Sequence, residues 1–273
     1  MIQISKKFVL GVLAFLAVLV FIAVYQKTGQ KPEVVFLDVG QGDAMLVILP
    51  GDTQILIDGG PSNKISAKLS KYLPFYDKDI ELAILTHPHK DHLNGIVSVF
   101  KDYNVKNFIW SGANYESRLY SNFIEALKQE GSNVYLAKAG DIVSYGNQQI
   151  LKILYPPEIL LGKSFKSIHE SNIVSELDLG NKKFLLMGDA EEVVEYRLIT
   201  SNVISNIDIL KVGHHGSKTS TSQNFLQTAK PEEAVIQVGR NSYGHPTPLV
   251  LDNLFKIGAR IFRTDQLGDI IYK

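Results

Sequence analysis

The segment Thr86-His87-Pro88-His89-Lys90-Asp91-His92 places three imidazoles and a carboxylate within a few residues of one another. All four groups donate lone pairs to divalent metals. Three of the chain's seven histidines fall in this one segment. Their side chains converge if the backbone turns there, and the apolar run Leu82-Ala83-Ile84-Leu85 just before supplies that turn as a strand ending in a tight loop. Metal held in such a place activates water and polarises phosphoryl or carbonyl oxygens. The segment is therefore the expected active site.

Further chemistry-bearing residues also sit where predicted strands end. Asp58 closes the run Gln54 to Ile57 in an Asp-Gly-Gly turn, where a carboxylate suits orienting a histidine better than binding metal itself. Asp189 follows Lys183 to Met187, His214 and His215 follow Ile207 to Val212, and His245 follows Glu233 to Val238 in a Gly-His-Pro loop. An imidazole titrates near neutral pH, so His245 is a candidate leaving-group donor or phosphate contact. Ser217, Lys218 and Thr219 lead toward a predicted helix at Ser222 to Thr228, whose N-terminus favours an anion, and are candidates for holding a phosphate.

Strands are also expected at Val34 to Leu37 and Ala44 to Leu49, flanking a glycine-punctuated tip, and at Lys106 to Trp110, Asn133 to Ala137, Gln149 to Tyr155, Ile173 to Leu179, Arg260 to Thr264 and Asp269 to Tyr272. Helices are expected at Ser66 to Tyr72, Leu93 to Tyr103, Ser121 to Gly131, Glu191 to Thr200 and Pro248 to Ile257. Two strand-rich blocks, each followed by helices, predict two sheets packed face to face with helices outside, an α/β (α+β) arrangement. Ends of neighbouring strands share an edge, so residues far apart in sequence meet there.

The chain has 273 residues, 45% hydrophobic, with Lys+Arg and Asp+Glu both totalling 28. Zero net charge supplies no overall field toward nucleic acid or an acidic membrane, so any polyanion contact must be local. Cysteine is absent, which excludes disulfides, thiolate metal sites and cysteine nucleophiles. The uncharged apolar run Phe8 to Tyr25, preceded by Lys6 and Lys7, is about long enough to cross a bilayer and has no convincing small-x-small cleavage site. The expected organisation is a cytoplasmic N-terminus at 1–7, one transmembrane signal-anchor helix at 8–25, a linker at 26–32 and a catalytic domain at 33–273 outside the cell membrane. Cleavage of the N-terminus would instead give a secreted form.

His87-x-His89-x-Asp91-His92, Gly188-Asp189-Ala190 and His214-His215-Gly216-Ser217, in this order, resemble the metallo-β-lactamase superfamily. Leu37-Asp38-Val39-Gly40-Gln41-Gly42-Asp43-Ala44, Tyr243-Gly244-His245-Pro246 and Phe262-Arg263-Thr264-Asp265 add a likeness to the hydrolase domain of the ComEC-like competence proteins. The resemblance implies an αββα sandwich with a metal site along one edge. It assigns His87 and His89 to one metal, Asp91 and His92 to a second, Asp189 to both, and one of His214 and His215 to the second site. His215 is the preferred ligand, which leaves His214 to touch substrate. Many ComEC-like relatives carry an acidic residue where this chain has His89 and an asparagine before the strand where it has His169; both departures make the site richer in histidine, and on this basis His169 is a candidate extra ligand of the first metal. Asp91, His214 and His245 are the candidate catalytic groups.

Two divalent cations about 3.5–4 Å apart can hold a bridging hydroxide that attacks a phosphodiester. Zinc and manganese both accept this donor set. The expected activity is that of a membrane-anchored phosphodiesterase or nuclease acting on DNA or another phosphodiester outside the cell membrane. Its alternatives are an esterase for cell-wall phosphodiesters of the phosphorylcholine type and a non-catalytic metal-stabilised binding module.

Overall fold

Successive residues along the strand runs of this chain point to two different cores, and that alternation builds the fold. The computed structural model describes residues 6–28, 31–146, 148–204 and 206–273, with the side chains of 19–28 and 149 left out. In chain order the elements are helix α1 (Lys6–Thr28), strands β1 (Glu33–Phe36), β2 (Met45–Leu49) and β3 (Thr53–Ile57), α2 (Lys64–Tyr72), β4 (Asp79–Leu85), α3 (Lys90–Asp102), β5 (Asn104–Trp110), α4 (Arg118–Glu130) and β6 (Asn133–Leu136). There follow β7 (Ile142–Tyr145), β8 (Gln148–Tyr155), β9 (Val174–Asp178), β10 (Lys183–Leu186), α5 (Glu192–Thr200), β11 (Ile209–Lys211), α6 (Gln223–Ala229), β12 (Glu233–Ile236), α7 (Pro248–Lys256), β13 (Arg260–Arg263), α8 (Thr264–Leu267) and β14 (Ile270–Tyr272).

These strands form two seven-stranded sheets, ordered β14-β1-β2-β3-β4-β5-β6 and β13-β12-β11-β10-β9-β8-β7. Along β1, Val34 and Phe36 point into a core shared with Phe184, Ile209 and Val235 of the second sheet. Val35 and Leu37 point the other way, onto Ile65 and Leu69 of α2 and Leu93, Ile96 and Val99 of α3. The second sheet repeats the pattern, with Leu185, Leu210 and Ala234 facing Val194, Leu198, Phe225, Val250 and Leu254 of the outer helices. The result is the expected αββα sandwich, each buried large apolar side chain contributing ~1.5–3 kcal/mol.

Three differences from the sequence expectation have physical reasons. Strand β7 lacks a strong apolar alternation of its own and is stabilised by antiparallel pairing with β8. Helix α3 begins at Lys90 and not at Leu93, because His89 adopts the extended backbone of an N-cap and Asp91 favours the first helical turn. The run expected as a strand through Thr264 turns helical there, since the Thr264 hydroxyl is taken up by Val238 across the loop.

The apolar segment 8–25 is helical, within α1. Among the described residues, however, no helix is long and apolar enough to cross a membrane. The described side chains of α1 end at Val18, a stretch shorter than the ~20 apolar residues that a crossing needs, and the rest of the expected span lies outside the described side chains.

Candidate metal centre

One edge of the sandwich collects the strand ends. The buried run of β4 delivers Thr86 and His87, and α3 then starts at once, setting Asp91 and His92 on its first turn. Helix α3 is held against the turn after β3 by Gly59 N donating to His92 O at 2.8 Å and Gly95 N donating to Gly60 O at 3.0 Å. A Cβ on Gly95 would lie 1.7 Å from Gly59 O, so the approach requires glycine. Asp189 leaves β10 through Gly188, and its backbone N–H donates to Asn172 Oδ1 at 3.0 Å. His214 and His215 leave β11 at φ 46° and 54°, left-handed values that non-glycine residues hold only where their surroundings fix them.

The side chains form two groups that share Asp189. His87, His89, His169 and Asp189 bring one donor atom each within 4.8 Å of one another, as do Asp91, His92, Asp189 and His215. Asp189 Oδ1 faces His92 Nε2 at 3.3 Å and His215 Nε2 at 3.6 Å, whereas Oδ2 faces His87 Nε2 at 3.7 Å. His215 Nε2 also meets Asp91 Oδ2 at 3.2 Å, and His89 Nδ1 meets His169 Nε2 at 3.1 Å.

Behind these donors, the His92, His215, His214 and His169 rings are anchored through Nδ1. His92 Nδ1 donates to Asp58 Oδ2 at 2.7 Å, and Asp58 is itself fixed by the Thr86 N–H and hydroxyl at 2.8 and 2.7 Å. His215 Nδ1 donates to Gln237 O at 2.9 Å, with Asp43 Oδ1 3.2 Å away. Glu191 Oε1 accepts from His214 Nδ1 at 3.2 Å and lies 3.4 Å from His169 Nδ1. With Nδ1 so occupied, Nε2 is left to present its lone pair inward.

The donor set fits divalent metal. His87 Nε2, His92 Nε2 and both Asp189 carboxylate oxygens are buried without a hydrogen-bond partner, a state that costs ~1–3 kcal/mol per group unless a ligand satisfies it. Burial and the neighbouring imidazoles hold His87 well below its ordinary pKa and His89 down to about 4, so both rings are neutral donors at pH 7. Against the cost of burial, Asp189 and Asp58 raise His92, and Asp189 and Asp43 raise His215 to about 10. The concentration of carboxylates that attracts a proton there attracts a cation equally.

Several contributors carry no role assigned from sequence. Asp43 and Lys211 form a buried ion pair beside His215, and Lys211 Nζ also donates to Gly188 O at 3.0 Å. A lysine inside the apolar run Ile209-Leu210-Lys211-Val212 was the available signal. Gln237 donates to Leu37 O and Ala44 O and so ties β12 to the loop that carries Asp43. Asn172, three residues beyond His169 and just before β9, is buried and clamps the Asp189 turn, accepting from Asp189 N and donating to Met187 O at 2.7 Å. Glu191 had only its closeness to Asp189 to mark it.

His245 lies on the rim, its ring 5.6 Å from that of His214. Burial and the facing His214 lower it to about 4. It is therefore neutral at pH 7 and suits a hydrogen-bonding contact better than the expected proton donor. The Ser217 and Thr219 hydroxyls are engaged within the protein, with each other at 3.0 Å and with Glu191 Oε1 at 2.7 Å, which leaves Lys218 exposed. The start of α6 is already filled by a carboxylate, because Glu195 accepts from Thr221 N and Ser222 N. A cleft of ≈ 490 Å³ opens over the metal donors, lined among others by Lys90, Arg240, Tyr243 and His245.

The family model described as the metallo-beta-lactamase superfamily matches residues 37–240. The chain is 30% identical over 276 residues to ComE operon protein 3 of Bacillus subtilis, covering 94% of this chain and 35% of that protein. It is 30% identical over 243 residues to Recombination protein 2 of Haemophilus influenzae, covering 86% of this chain and 28% of that protein. The chain thus spans about a third of the length of these relatives. Among solved structures it is similar to the metallo-beta-lactamase fold protein YhfI from Bacillus subtilis, at 15% identity and a TM-score of 0.55, covering 89% of this chain and 99% of that one. Both sheets, the strand-end clusters and the matched residues agree: the chain belongs to the metallo-beta-lactamase superfamily.

Proposed function

We propose that this protein is a binuclear metal-dependent phosphodiesterase. His87, His89, His169 and Asp189 would hold one ion, and Asp91, His92, His215 and Asp189 the other. Zinc is the first choice and manganese the second. When bound, such ions supply Lewis acidity and a nucleophilic water at neutral pH. The observation that carries the proposal is Asp189, whose two buried oxygens lack a hydrogen-bond partner and face the two clusters separately.

The rest of the site supplies binding and orientation. Lys90 and Arg240 line the cleft over the metal donors with no ion-pair partner among the described residues, and two such cations suit an anionic diester. The Asn241 side chain bonds Gly239 O, His245 O, Tyr243 N and His245 N, at 2.9 to 3.1 Å. This fixes the loop that carries Arg240, Tyr243 and His245. The Tyr243 ring is 73% exposed, a surface on which a nucleobase can stack. These features favour DNA, single-stranded in particular, among phosphodiesters. His214, held by Glu191 with Nε2 3.9 Å from Asp189 Oδ2, is placed to touch the substrate phosphate.

The protein would work at a membrane, attached through its N-terminal segment, with the hydrolase domain outside the cytoplasm. The exposed apolar side chains of α1, among them Leu10, Leu13 and Phe15, and the Lys6 and Lys7 that begin it support this.

The test is hydrolysis of a bis-aryl phosphodiester, single-stranded DNA, a phosphorylcholine ester and a lactam by the purified chain, with His89→Ala and Asp189→Asn alongside. Metal-dependent cleavage of the first two substrates, lost in both variants, is the expected result. Preference for the choline ester would move the substrate to the cell wall. Equal activity in wild type and both variants would end the proposal.

A further inference from the structure

The turn between α2 and β4 has a composition that exposed turns avoid. Asp77 N donates to Pro74 O at 2.9 Å, closing a four-residue turn with Phe75 and Tyr76 at its centre. Central turn positions usually carry Gly, Asn, Asp or Ser. Here they carry two aromatic rings, 88% and 66% exposed, packed edge to face on each other at 5.4 Å. The turn is firmly held, since the Asp77 carboxylate accepts from Gln54 Nε2 at 3.0 Å and from Asp79 N at 3.2 Å. A fixed apolar tip in water marks a contact surface.

Its position indicates the partner. Strand β4 starts just after the turn and runs seven residues toward the metal centre, so the tip lies on the opposite edge of the sandwich, ~20 Å away. Leu73 and Pro74 share a hollow of ≈ 410 Å³ with Lys31, Glu33 and Lys273, where the chain passes from the apolar α1 into β1. Exposed Lys31, Lys71 and Lys78 fringe the tip. Lys71 is held by Asp269, and Lys78 lies over the Tyr103 ring. Aromatic side chains beside cations, next to an apolar segment, suit the headgroup layer of an anionic bilayer.

We propose that Phe75 and Tyr76 form a membrane-interface contact that seats this edge of the domain on the bilayer and turns the metal centre away from it. This rests on the membrane attachment proposed above and adds an orientation to it.

Trp110 is the sole tryptophan and is buried, so an added indole reports its own surroundings. The full chain is reconstituted with vesicles of phosphatidylcholine and phosphatidylglycerol, flotation is scored, and fluorescence is compared with and without bromine on the acyl chains near the headgroups. Phe75→Trp is the probe and Tyr243→Trp the control on the opposite edge. The expected result is flotation of all forms, with emission of the Phe75→Trp indole quenched roughly twofold by bromine, as headgroup-level rings lie within its reach. Wild type and Tyr243→Trp are expected to stay unchanged. Flotation with no quenching of Phe75→Trp, or with equal quenching of Tyr243→Trp, would overturn this contact and leave attachment standing. Failure to float would remove both.

Discussion

Replacing Lys211 by methionine tests the buried pair behind His215. The Lys211 and Asp43 side chains are each 4% exposed and form an ion pair that ties the second sheet to the loop between β1 and β2. Lys211→Met leaves the Asp43 carboxylate buried with one strong partner, His215 Nδ1 at 3.2 Å. Removing one member of a buried pair costs ~3–5 kcal/mol, and the remaining histidine places the loss near ~3 kcal/mol. With a urea m-value of ~3 kcal/mol/M for a chain of this size, the unfolding midpoint should fall by about 1 M. Asp43→Asn/Lys211→Met removes both charges and should recover more than half of that loss, since a buried pair taken out whole is often neutral. Urea unfolding of wild type, both single variants and the double variant measures the coupling. A Lys211→Met loss under ~1 kcal/mol, or losses that simply add in the double variant, would refute the reasoning.

Gly95→Ala puts a Cβ 1.7 Å from Gly59 O and must push α3 away from the turn after β3, carrying Asp91 and His92 with it. A stability loss of ~1–3 kcal/mol is expected, with reduced metal content by elemental analysis. Glu191→Gln removes the carboxylate that His169 and His214 share, and diester hydrolysis or metal affinity should drop ~10–100-fold while the thermal midpoint changes little. The Asp269 carboxyl, largely out of water, is held well below the usual carboxylate range by Lys68 and Lys71, with Asp38 N and Tyr72 adding to them. A depressed carboxylate stabilises the fold above its unfolded pKa of ~3.9 and loses that contribution as pH falls. Asp269→Asn should therefore be less stable than wild type at pH 7 and lose less on acidification to pH 3, as followed by circular dichroism.

Much of the candidate centre was legible in the sequence because its residues sit at strand ends, where an apolar run stops and a histidine or aspartate begins. His87, Asp189 and His215 each follow that rule, and the two-block strand pattern foretold the sandwich. What escaped was set by tertiary packing. Asp43 gains meaning only when the second sheet lays Lys211 and Gln237 against it. Glu191 becomes an anchor only once two histidines from separate loops converge on it. The serines and threonines after His215 looked free for phosphate in one dimension, whereas Glu191 and Glu195 take their hydroxyl and backbone donors in three. The start of α3 was misplaced because a His-Pro-His segment gives no ordinary capping signal, although His89 serves as the cap.

The central claim is that Asp189 joins two metal sites. Metal content per chain, measured by elemental analysis on wild type and Asp189→Asn beside phosphodiester turnover, tests it most directly. About two ions per wild-type chain are predicted, falling by at least one in Asp189→Asn with loss of turnover, as expected when a shared ligand is removed. Undiminished metal and turnover in Asp189→Asn, or less than one ion per chain in every wild-type preparation, would contradict it.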